Sequence, residues 1–95
     1  MTPAAKLQAY IRSKTRLARG EYRKVQWVSR RGAPDCLLDF GFPNVAWVEV
    51  KAGDDVLSIL QRREIKRLRG RGWRVFVVRT RADADAVVEE MKNAR

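Results

Sequence analysis

Apolar residues recur along this chain with two different periods, and the points where the period changes divide it into elements. Leu7, Tyr10, Ile11, Leu17 and Ala18 fall at helical spacing behind Thr2-Pro3, a cap followed by a proline that suits a first helical turn. The spacing predicts a helix over 3–18 with a Lys/Arg-rich outer face, stopped by Gly20. Val25, Trp27 and Val28 predict a strand over 23–29. A turn at 30–34 follows, where Pro34 cannot donate to a ladder. Strands are expected over 35–40 and 45–51, joined by Gly41-Phe42-Pro43-Asn44. Ser58 caps a second helix running to about 69 and closed by Gly70 and Gly72. A fourth strand over 73–78 leads to a last helix, opened by Thr80 or Asp83, with Ala84, Val87, Val88 and Met91 on one face. The order is α-β-β-β-α-β-α. The crossover between the last two strands is long enough to make them parallel, so the expectation is a single α/β domain over 1–95 with a mixed four-stranded sheet flanked by helices.

Composition narrows the chemistry. The chain has no histidine and one cysteine, Cys36. That excludes a histidine-based triad, an imidazole base, an intrachain disulfide and a cysteine-cluster zinc site. Any catalysis must use carboxylates, lysine and a hard cation. No apolar run reaches the length of a membrane span and the N-terminus lacks a signal-peptide core, so a cytoplasmic protein is expected, in the host cytoplasm if the source is viral. The formal net charge is +10 and Arg outnumbers Lys fifteen to six. This favours a polyanionic partner recognised by bidentate contacts, most simply nucleic acid. The charge is blocked: residues 1–31 sum to +8, residues 32–60 to −4 and residues 61–81 to +8. An acidic centre between two basic flanks asks for more than electrostatic adhesion.

That centre contains Pro34-Asp35 and, after thirteen residues, Glu49-Val50-Lys51. Strand alternation puts Val45, Trp47, Glu49 and Lys51 on one side and Ala46, Val48 and Val50 on the other. The second set is wholly apolar, so Glu49 and Lys51 are expected together off the packed face. A register opposing Asp35 to Glu49, or to Lys51, gathers all three. Two carboxylates that close need a shared proton or a cation between them. Magnesium, or manganese, suits Asp35 and Glu49 as oxygen ligands with the Val50 carbonyl as a third. Lys51 would then orient or help deprotonate a water. Taken alone, Glu49-Val50-Lys51 also reads as a solvated salt bridge at a strand end. Gln61, three residues after Ser58, forms a capping box. Lys24, Arg30, Arg31, Arg62, Arg63 and Lys66 are the candidate phosphate contacts around this centre. Trp27, Trp47 and Trp73 are expected on strands, mostly in the core or at a dimer interface, with base stacking the lesser alternative for one of them.

Gly32-Ala33-Pro34-Asp35, Val48-Glu49-Val50-Lys51, Asp55 through Gln61 and Gly72 before an apolar strand resemble, in order and spacing, the VRR-NUC (virus-type replication-repair nuclease) domain. This is a branch of the PD-(D/E)xK nuclease superfamily. The resemblance runs from about Lys24 to Thr80. It implies a restriction-endonuclease-like core and a metal-dependent DNA phosphodiesterase with Asp35, Glu49 and Lys51 as its site. It also implies that Gln61 reaches the nucleophilic water or Lys51. Small members of the family resemble Holliday-junction resolvases and act as homodimers, which implies a structure-selective endonuclease on branched DNA. The first helix departs from the family: it lacks a glutamate near the site, where Gln8 is the polar residue at hand. Two rival expectations remain: a non-catalytic basic nucleic-acid-binding module, or a nuclease subunit that requires a helicase or other partner.

Overall fold

The computed structural model describes residues 1–94. Its elements are α1 (Pro3–Leu17), β1 (Glu21–Lys24), β2 (Cys36–Asp39), β3 (Val45–Val50), α2 (Ile59–Gly70), β4 (Arg74–Val78) and α3 (Arg81–Asn93). The element order is the expected one. The sheet runs β1-β2-β3-β4, with the first two pairings antiparallel and β3–β4 parallel across the α2 crossover. Among the described residues no helix is long and apolar enough to cross a membrane.

Local chemistry explains the helix ends. Thr2 accepts from the Ala5 amide ahead of Pro3, and Ser58 and Thr80 each open a helix through a full capping box. Gly20 matters less as a helix stop than as a gap. The turn residue with positive φ is Arg19, and a Cβ on Gly20 would meet the Phe40 ring at 2.7 Å.

Both faces of the sheet are covered. Ala46, Val48 and Val50 join Cys36, Leu38, Phe40 and Val78 beneath α1 and α3, and all four residues of the α3 stripe are buried there. On the opposite face Trp47, Leu37, Val75 and Val77 pack against Ile65 and Leu68 of α2. The expectation that Glu49 lies off the packed face is therefore corrected. Glu49 shares the Trp47 face, α2 roofs that face, and Glu49 is only 2% exposed. A parallel β3–β4 step forces its crossover helix onto one side of the sheet, which covers a face that alternation alone leaves open.

The first strand also differs. It begins at Glu21 and ends at Lys24, so Val25, Trp27 and Val28 lie outside it. The last link to β2 is the Val25 amide to the Asp35 carbonyl, after which the chain leaves the sheet to cross the start of α2. Ser29 and Gly32 take positive φ on the way. Gly32 sits so close to α2 that a Cβ there would meet the Leu60 carbonyl carbon at 2.5 Å. Trp73 precedes β4 rather than belonging to it.

Candidate active site

The β2–β3 register opposes Cys36 to Val48 and, continued by one residue, Asp35 to Glu49. Of the two registers open to the sequence, this is the one adopted. Asp35 is anchored, since its Oδ2 accepts from the Val50 amide at 3.1 Å. A residue's N–H and C=O leave a strand on the same edge, so the Val50 carbonyl is turned to that edge as well. Gln61 joins from above. Its Oε1 accepts from the Ser58 amide at 2.9 Å while its Nε2 donates to Glu49 Oε1 at 2.8 Å. Gln61 therefore caps α2 and contacts Glu49 at once, the two ends of one amide serving both, where the resemblance implied a contact with the water or Lys51.

Glu49 is left with one oxygen to spare: its Oε2 is buried without a hydrogen-bond partner. Burial first, and the Asp35 charge second, push the Glu49 carboxyl up to about 7, with the Lys51 ammonium pulling the other way. Lys51 follows β3 directly and is half-buried, its amide donating to the Val78 carbonyl of β4. The donor set is thus all oxygen: two carboxylates, one with an unpartnered buried oxygen, and a strand carbonyl. That chemistry fits a hard divalent cation holding several waters. Among the described residues no group of three or more Cys, Asp or Glu side chains gathers. This pair is the acidic site around which the surrounding residues must be read.

The basic candidates divide. Arg62, Arg63 and Lys66 stand exposed along α2, and Arg31 is exposed in the preceding loop. Lys24 donates to Gln8 of α1 at 3.3 Å, which ties β1 to the first helix. Arg30 is not a free phosphate ligand. Its Nε donates to Glu64 Oε2 at 2.6 Å and its Nη2 to Oε1 at 3.0 Å. Glu64 is 6% exposed, and these guanidinium bonds hold its carboxyl below the usual range. Sequence reading missed Glu64, which sits unmarked among arginines; only its place on the inward side of α2, one residue before Ile65, distinguishes it. Asp39 caps its own turn by accepting from the Gly41 amide. Cys36 is fully buried.

The fold, with an acid pair where β2 and β3 meet, a lysine just beyond β3 and a crossover helix above, is that of a nuclease-type domain. The model of the VRR-NUC domain family matches residues 3–82, and the chain belongs to that family. A solved structure described as a VRR_NUC domain is 32% identical and superposes with a TM-score of 0.86, over 94% of this chain and 97% of that one. No curated protein matches the chain. The match takes in the first helix, which extends the relationship beyond the 24–80 segment where the motifs lie.

Proposed function

We propose that this domain hydrolyses phosphodiester bonds in DNA with Mg²⁺ or Mn²⁺, at a site made by Asp35, Glu49, Lys51 and Gln61. The observation that carries the reading is the Glu49 carboxylate, buried against Asp35, oriented by Gln61 and left with an unpartnered oxygen. Asp35, Glu49 and the Val50 carbonyl would hold the cation. When bound, the cation supplies a water of lowered pKa and neutralises charge at the scissile phosphate. The chain's own residues do the rest. The Val50 amide fixes the Asp35 carboxylate, and Gln61 fixes that of Glu49, so both are preorganised before substrate arrives. The Lys51 ammonium, beside the acids, steadies the attacking water and the developing negative charge. Arg31, Arg62, Arg63 and Lys66 surround this edge with exposed positive charge that holds the backbone.

Branched DNA is the substrate class in view, because no element offers a helix free to read base edges. A two-fold pair of chains, presenting two sites to a symmetric junction, is the assembly that suits it. The test is a panel of flap, splayed, nicked and four-way junction DNAs incubated with Mg²⁺, Mn²⁺ or EDTA. Cleavage with metal and none with EDTA is expected, and Asp35→Ala should abolish it while DNA binding in EDTA stays within a few-fold. Binding by the wild type without cleavage of any substrate would replace this reading with that of a binding module.

A further inference from the structure

The three tryptophans, which are all the chain contains, form one chain of rings on the α2 side of the sheet. Trp47 is the middle ring, with its centroid 5.1 Å from that of Trp27 and 5.9 Å from that of Trp73. Trp47 is buried, but Trp73 is 40% exposed. One exposed large ring means little by itself. Here, however, Trp27 and Trp73 line a single concavity of about 340 Å³ together with Leu68, Arg67, Arg71 and the Arg30–Glu64 pair. Arg30 and Glu64 neutralise each other. Arg67 and Arg71 take part in no salt bridge among the described residues, and Glu64 is engaged by Arg30, so the hollow carries a net positive charge beside two indole rings.

We propose that this hollow holds an unpaired nucleobase of single-stranded DNA, stacked on Trp73 and Trp27, with its phosphate on Arg67 or Arg71. The combination favours a ligand that offers both a flat π-face and a negative charge. Position supports a strand that continues from the cleavage site, so this inference rests on the nuclease reading. α2 carries Gln61 at one end and reaches Arg71 at the other, about 15 Å at 1.5 Å per residue. That is roughly four nucleotide steps at the 3.4 Å rise of one DNA strand. Arg63 and Arg67 also line a neighbouring groove with Arg31 and Leu60, which carries basic side chains from beside the start of α2 to the hollow. A base captured there would mark the open strand of a flap, splayed arm or junction.

Because two of the three tryptophans line the hollow and the third packs against both, intrinsic fluorescence reports on it. The protein is titrated in EDTA with a short oligothymidylate, with an abasic strand of equal length, and with a blunt duplex. The expected result is quenching by oligothymidylate, with affinity roughly 5- to 150-fold above the abasic strand for each stacked base. Trp73→Ala should reduce oligothymidylate to the abasic affinity, while Trp73→Phe, which keeps a π-face, should retain most of the difference. Arg71→Ala should weaken both strands alike. Equal affinity for the abasic strand and oligothymidylate, or a base preference untouched in both Trp73 variants, overturns the proposal. So does quenching by the duplex as strong as that by the single strand. The nuclease reading fails separately: a protein that cuts junctions without base preference loses only the hollow, and one that stacks bases but cuts nothing loses only the nuclease.

Discussion

Glu49 is where a single residue departs furthest from solution behaviour. In the metal-free protein its carboxyl is raised from 4.5 to about 7. Between those values the folded chain keeps a proton that the unfolded chain has released, so stability falls as pH rises through that window. The effect is on the order of 1–3 kcal/mol. Urea unfolding in EDTA should therefore show a lower midpoint at pH 8 than at pH 5, and Glu49→Gln should flatten the difference. Glu64 and Asp83, held low by the Arg30 guanidinium and the Arg79 amide respectively, act with the opposite sign at lower pH. They are common to wild type and variant and cancel in the comparison. Mg²⁺ added at pH 8 should raise the wild-type midpoint and leave Glu49→Gln nearly unmoved, since only a ligand of the folded state stabilises it. An identical pH slope in the two proteins would contradict the buried-acid assignment.

The N-terminus of α2 is the element on which the candidate site turns, because one residue, Gln61, both completes the helix cap and touches the acid. Ser58→Ala removes only the cap, at a cost of about 1 kcal/mol, and should leave cleavage within a few-fold of wild type. Gln61→Ala removes the returning half of the cap and the bond to Glu49 together. It should destabilise to a similar degree but lower the cleavage rate at least about tenfold, the loss expected when a positioned donor is removed from a reacting centre. If both variants lose activity in proportion to their melting temperatures, Gln61 acts only through the helix. The capping box was legible from Ser58 and Gln61 at their spacing. The contact with Glu49 was not, since it depends on the crossover lowering the helix onto that face.

Across the molecule, the exposed arginines of α2 and Arg30, paired with the buried Glu64, should separate in a salt titration of DNA binding. Arg62→Ala and Arg63→Ala should each reduce the log–log salt slope by about 0.9, the value for one lost phosphate contact. Arg30→Ala should leave the slope unchanged and instead lower the melting temperature, because it strips the partner from the buried Glu64 carboxylate. A slope change for Arg30→Ala with no loss of stability would return Arg30 to the set of phosphate contacts. The same pair, with Gly32 seated on the α2 backbone, links the loop before Asp35 to the helix that carries Gln61. The two walls of the site are joined at a distance from it.

Periodicity, capping and turn chemistry are local, so the sequence by itself determined the element order, the helix starts at Thr2 and Ser58 and the buried α3 stripe. It left the last helix to begin at Thr80 or Asp83 and Asp35 to face Glu49 or Lys51, and the structure chose Thr80 and Glu49. Its limit fell where a residue's surroundings come from distant chain. Val25, Trp27 and Val28 have strand propensity, yet β2 offers them no partner beyond Asp35, and the loop instead follows α2. Arg30 has the charge of a phosphate ligand, yet Glu64, thirty-four residues on, claims it. Glu49 reads as a surface acid by alternation, and only the crossover helix takes it out of water. What the tertiary structure decided was burial and partnership, and those set the charge state of the acid at the centre of the candidate site.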